Sequence, residues 1–98
     1  MIDLDKLQKE VYSNKLKKGF NIDNVPLQFC FIQSEITEAF QAWSRKQGNI
    51  GEELADVAIY LLGLAEIVGI SLSEEIISKF EIAKKREYVM VNGALIKK

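Results

Sequence analysis

Apolar residues recur along this chain at helical spacing, and four stretches carry the pattern. Leu4, Leu7 and Val11 lie three and four apart and predict a first helix over 4–18, with Asp3 or Asp5 as N-cap and Gly19 as its stop. A second helix is predicted over 26–46, opened by Pro26 and closed before Gly48. The third, over 50–69, is apolar or glycine at nearly every position from Leu54 to Ile70, interrupted only by Asp56 and Glu66. A helix apolar on all sides is expected at the centre of a core. Ser71-Leu-Ser-Glu74 is a capping-box pattern that starts a fourth helix over 72–88. The tail from Tyr88 to Lys97 predicts a β-hairpin over 88–97 turning on Asn92-Gly93. A lone hairpin is marginal in water, so this one is expected to pack on the helices or on another subunit.

The elements amount to an all-α fold, one domain over 1–98: a four-helix bundle-type domain with a short C-terminal β-hairpin. Ninety-eight residues bury a modest share of their surface, yet 48 % of them are apolar. More apolar surface is therefore expected to be hidden by oligomerisation, as a homodimer or a homotetramer.

Composition narrows the chemistry. There is no histidine, which excludes histidine-based nucleophile triads, histidine-ligated zinc and the Glu-x-x-His di-iron pattern. The single cysteine, Cys30, cannot form an internal disulfide, and its apolar surroundings predict a buried thiol in a reducing compartment. A net charge of −1 offers no field for a nucleic acid polymer or a membrane surface. No uncharged run comes near the ~20 residues that span a bilayer, and the charged N-terminus lacks the apolar core of a signal peptide. A cytoplasmic location is expected. The charge is unevenly placed, with net +2 over 1–20, −5 over 21–70 and +2 over 71–98.

The acidic middle contains two paired carboxylates. At 100° per residue, Glu53 and Asp56 share a narrow sector of the third helix with Tyr60, while Glu52 and Glu66 point away toward solvent. Glu35 and Glu38, three apart on the second helix, stand at the edge of an apolar stripe that includes Phe31, Ile32, Ala39 and Trp43. A single Glu-x-x-Glu is common on solvated helices. Two pairs, each aligned with an apolar sector and joined through the tight turn Gln47-Gly-Asn-Ile50, converge if the helices run antiparallel. Four ionised groups in a poorly solvated place cost several kcal/mol each unless protonated or neutralised by a cation. An all-oxygen donor set favours a hard ion, Mg²⁺ with Mn²⁺ as a substitute.

Glu35-x-x-Glu38, fourteen residues, then Glu53-x-x-Asp56 resembles the signature of the MazG-like all-α nucleoside triphosphate pyrophosphohydrolases. The strings Ser34-Glu-Ile-Thr-Glu-Ala39 and Glu52-Glu-Leu-Ala-Asp-Val57 are similar to the wording of that motif, and the likeness extends over about 4–88. The resemblance implies a Mg²⁺-dependent enzyme that splits a nucleoside triphosphate into monophosphate and pyrophosphate. It implies metal ligation by Glu35, Glu38, Glu53 and Asp56, with Glu35 or Glu38 also orienting the attacking water. It also implies a Lys-x-x-x-Asn-x-x-Arg run on the fourth helix that meets the phosphates. Lys79 and Arg86 match, but Ala83 stands at the asparagine position, and Asn14 is one residue that could replace the lost amide.

Candidates for the base are Asn14, which continues the first helix's stripe in polar form, and the aromatic rings of Phe31, Trp43 and Tyr60. Rings at helical spacing are otherwise core residues. Within the same superfamily, a phosphoribosyl-ATP or dUTP pyrophosphohydrolase is the alternative substrate reading. From another class comes a non-catalytic helical interaction module, its acids protonated or paired with Lys79 and Arg86.

Overall fold

The computed structural model describes residues 1–98. Four helices, α1 (Leu4–Lys18), α2 (Val25–Ser44), α3 (Ile50–Val68) and α4 (Leu72–Lys85), precede two strands, β1 (Tyr88–Val91) and β2 (Ala94–Lys97). Each helix starts where a side chain accepts from an otherwise free amide: Asp3 from Lys6, Asn24 from Leu27, Asn49 from Gly51 and Glu52, and Ser71 from Glu74. Asn24 takes the cap of α2, so Pro26 stands second in the helix rather than first. That helix ends at Ser44, and left-handed residues at Lys46 (φ 52°) and Gly48 (φ 73°) make the turn into α3. The fourth helix stops at Lys85, short of the predicted 88, because Arg86 is already extended (φ −71°, ψ 139°) and leads into the hairpin. Asn92 and Gly93 both take positive φ (51° and 81°), as a two-residue hairpin turn of this hand requires, and place Tyr88 opposite Lys97.

The short connection makes α2 and α3 antiparallel neighbours, and α3 packs on both α2 and α1. Four successive residues of α3, Leu62 to Ala65, are buried, as are Ile32 and Ala39 of α2. The centre of the core is therefore the C-terminal half of α3. Its first half keeps an apolar flank exposed, with Leu54 and Ile59 facing outward. Cys30 is exposed, contrary to the burial expected from its apolar run. The core side of α2 is set by Gln28, Ile32 and Ala39, and a residue two positions past Gln28 points about 200° away from it.

Gln8 ties the corner between α1, α3 and α4. It is buried, donates to Glu66 Oε1 (2.9 Å) and to the Ile70 carbonyl (2.7 Å), and accepts from the Leu72 amide (3.1 Å). Glu66, expected to reach free solvent, is half-buried in this corner. Gln8→Ala leaves the Ile70 carbonyl and the Leu72 amide without this partner in a partly buried place. It is expected to destabilise the chain by about 2 kcal/mol, read as a lower urea midpoint.

Beyond this corner the chain opens out. α4 meets α3 at 104°, its principal contact is with α1, and none of its residues is buried. The strands contact chiefly each other, and every residue in them is exposed. The radius of gyration is 16.7 Å, where a compact chain of this length gives roughly 13 Å. No single helix is long and apolar enough to cross a membrane.

Candidate metal centre

The antiparallel α2/α3 pair brings the acids together. One carboxylate oxygen each from Glu35, Glu38 and Glu53 lies within 4.8 Å of the others. Asp56, one turn beyond Glu53, is close enough to act on Glu35 through its charge. Glu35 and Glu53 are half-buried, whereas Glu38 and Asp56 are exposed, so in a single chain the cluster is wetter than expected. Burial first, then the charges of Glu38, Asp56 and Glu53, and then a hydrogen bond with Glu38 raise the Glu35 carboxyl above its usual 4.5. None of the four joins an ion pair; the two pairs formed are Lys84–Glu81 and Lys98–Glu87. The site is thus a patch of unbalanced negative charge with only oxygen donors, a set that fits a hard divalent cation.

Lys79 and Arg86 are not brought to this cluster. The acids stand near the N-terminal end of α3, and α4 leaves from the other end, about 18 Å along the helix from Asp56 to Val68. Lys79 is exposed on α4, and Arg86 lies just past its last helical residue, where the backbone is already extended.

Of the aromatic candidates, Tyr60 is nearest the chemistry. Burial first, then the charges of Glu35, Asp56 and Glu38, raise its phenol above the usual 10.0. Phe31 packs beside it at 6.1 Å between ring centroids. Trp43 is 65 % exposed at the other end of α2 and pairs with Phe40. Asn14 lines a cavity of about 430 Å³ between α1 and α3, together with Tyr60 and Phe20.

Two residues at this site escaped the sequence reading, Lys15 and Gln28. Lys15 is 8 % exposed and Gln28 is 1 % exposed. The Lys15 ammonium donates to Gln28 Oε1 at 3.3 Å and lies 4.8 Å from the centre of the Tyr60 ring. Gln28 is oriented by its own donation to the Asn21 carbonyl (2.7 Å). Gly63 opens the space, since a Cβ there would come within 2.7 Å of Lys15 Cε. A signal existed: Leu4, Gln8, Val11 and Lys15 form one helical stripe, and Gln28, Ile32, Glu35 and Ala39 form another.

No carboxylate pairs with Lys15, and burial lowers its pKa from 10.5. The folded chain holds this proton less tightly than the unfolded chain does. Stability is therefore expected to rise as pH climbs through the lowered value toward 10.5, and Lys15→Met removes that rise. Urea unfolding of both proteins at stepped alkaline pH measures the difference.

The family model described as MazG-like family matches residues 27–97. No curated protein and no solved structure matches the chain. The match takes in nearly all of α2 and everything from there to the end of β2, with all four acids of the cluster, and by it this chain belongs to the MazG-like family.

Proposed function

We propose that this chain is a Mg²⁺-dependent pyrophosphohydrolase that converts a nucleoside triphosphate to monophosphate and pyrophosphate. The observation that carries the reading is the cluster of Glu35, Glu38 and Glu53, unpaired with any cation and extended by Asp56. These four residues would hold the ion. Bound there, Mg²⁺, or Mn²⁺ in its place, would offset the carboxylate charge and the charge developing on the departing pyrophosphate. Glu35 is the better placed of the two candidate bases. Its raised proton affinity suits a group that orients a water for in-line attack and takes its proton. Glu38, more exposed, is open to an arriving polyphosphate.

The phosphate-binding cations, Lys79 and Arg86, are assigned to a second copy of the chain. The surface area is 7599 Å², where a compact monomer of 11.1 kDa exposes roughly 5,700 Å². The excess is larger than the ~800 Å² each partner gives to an ordinary stable dimer. Much of it is apolar: Ile36, Phe40, Trp43 and Leu54 beside the acids, and Ile76, Ile77 and Phe80 on α4. Laying α4 of one copy across the α2/α3 face of another covers both surfaces and carries basic residues toward acidic ones.

The test has two arms. Melting temperature is measured with and without millimolar Mg²⁺, and pyrophosphate release is followed on a nucleotide panel that includes dUTP and phosphoribosyl-ATP. A hydrolase gives a metal-dependent rise and release from at least one nucleotide. An interaction module gives neither.

A further inference from the structure

We infer that the cavity between α1 and α3 is a nucleobase pocket in which the buried Lys15 ammonium selects bases bearing a keto oxygen at pyrimidine position 4 or purine position 6, against those bearing an amine. The inference rests on the nucleotide reading of the acid cluster and adds to it the class of base.

Position along α3 gives the pocket its orientation. Asp56 belongs to the acid cluster, Tyr60 follows one turn later, and Gly63, against which Lys15 packs, follows about 10 Å along the axis from Asp56. Tyr60 joins the two regions, its phenol in the field of the acids and its ring beneath the Lys15 ammonium. A nucleotide whose phosphates lie at the acids therefore points its nucleoside along the Tyr60 side of the helix. The cavity there measures about 430 Å³, within the range of small-molecule sites. Leu7, Val11, Phe20 and Ile59 supply apolar walls suited to a flat ring.

Glu10, Asn14 and Lys18 also line the cavity but are exposed, and Lys15 is its one buried polar side chain. An ammonium has three donors and no acceptor. Gln28 takes one donor, and the Tyr60 ring face takes the attraction of another. Gln28 cannot turn its amide nitrogen toward Lys15 without giving up its bond to the Asn21 carbonyl. What remains is a desolvated donor with no carboxylate to answer it. The base edge farthest from the sugar enters such a pocket first, and that edge carries the group at pyrimidine position 4 or purine position 6. Uracil and guanine present an acceptor there, whereas cytosine and adenine present an amine. An amine would set donor against donor out of water, the arrangement that gives the largest discrimination between ligands of the same shape.

Metal-free nucleosides test this without turnover. NMR titrations of the Lys15 side chain, the Tyr60 ring and the Ile59 methyl groups compare the isosteric pairs uridine with cytidine and inosine with adenosine. The keto member of each pair is expected to bind at least ~10-fold more tightly, and Lys15→Met should bring the two within about twofold. Gln28→Glu, which keeps the ammonium and gives it a carboxylate to pair with, should shrink the ratio in the same direction. The helical circular-dichroism signal reports that the chain stays folded although the bond to the Asn21 carbonyl is lost. Equal or tighter binding of the amine member overturns the inference. So does a ratio that survives Lys15→Met, or the absence of any shift at these three residues. Failure of the hydrolase reading looks different, because nucleosides would then discriminate at the pocket while no triphosphate releases pyrophosphate.

Discussion

Glu38→Ala is expected to abolish pyrophosphate release, by on the order of 10²–10⁴-fold, while raising the melting temperature of the metal-free protein. The two effects have one cause. Glu38 has no cationic partner, and its nearest charged neighbours include Glu35, whose carboxyl it pushes toward protonation. Like charges three or four apart on a helix destabilise it by about 0.2–0.5 kcal/mol, so truncation should give back about 1–3 °C in a domain of this size. Adding Mg²⁺ should reverse the order, since the wild type gains from the ion and the variant loses part of its donor set. Asp56→Asn should behave in the same way, more weakly in the metal-free state because Asp56 lies outside the tightest three. A structural network of paired charges makes the opposite forecast, since removing one partner of a pair lowers stability with or without metal. Differential scanning fluorimetry at two Mg²⁺ concentrations, beside a pyrophosphate assay, separates the two. A variant less stable than wild type in EDTA, or one that keeps its metal-dependent shift, removes the basis for the metal site.

The acid pairs were legible because helical periodicity is local. Spacing of three places Glu35 with Glu38 and Glu53 with Asp56 on common faces whatever the rest of the chain does, and a tight turn between the helices leaves little freedom in how the faces meet. The helix starts were legible for the same reason, as each is fixed by one capping side chain within three residues of the amide it serves. The course of α4 was not. It depends on the corner at Gly69 (φ 79°) and Ile70 and on the hydrogen bonds of Gln8, a residue more than sixty positions away in sequence. Cys30 misled because an apolar run does not say which side of a helix is covered. Lys15 and Gln28 were passed over because polar residues are ordinarily assigned to solvent, although both continue stripes that end in the core. Such a departure from the local pattern is where a functional group is expected, since an uncompensated buried charge costs stability.

Arg86→Ala is expected to lower activity by about 10²-fold, and mixing it with the inactive Glu38→Ala protein is expected to restore part of what each has lost. The reasoning begins with direction. α4 departs from α3 at 104°, from the end remote from the acids, so its cations do not reach the cluster of their own chain. If they serve the cluster of a second copy, each active site combines acids from one chain with Lys79 and Arg86 from the other. A mixed dimer of the two variants then contains one site with both defects and one site with neither. Random exchange of equal amounts makes half of the dimers mixed, and the recovered activity should approach about a quarter of the wild-type value for a two-fold symmetric pair. Sites built within one chain recover nothing on mixing, since every cluster then carries one defect or the other. The experiment needs chains that exchange, so the proteins are unfolded together in urea and refolded, with separately refolded samples mixed afterwards as the control. Sedimentation of each variant establishes whether the assembly survives the substitution. A monomer at micromolar concentration with full activity would rule out the shared site directly, because its Lys79 and Arg86 lie on a helix that leaves from the end remote from its own acids.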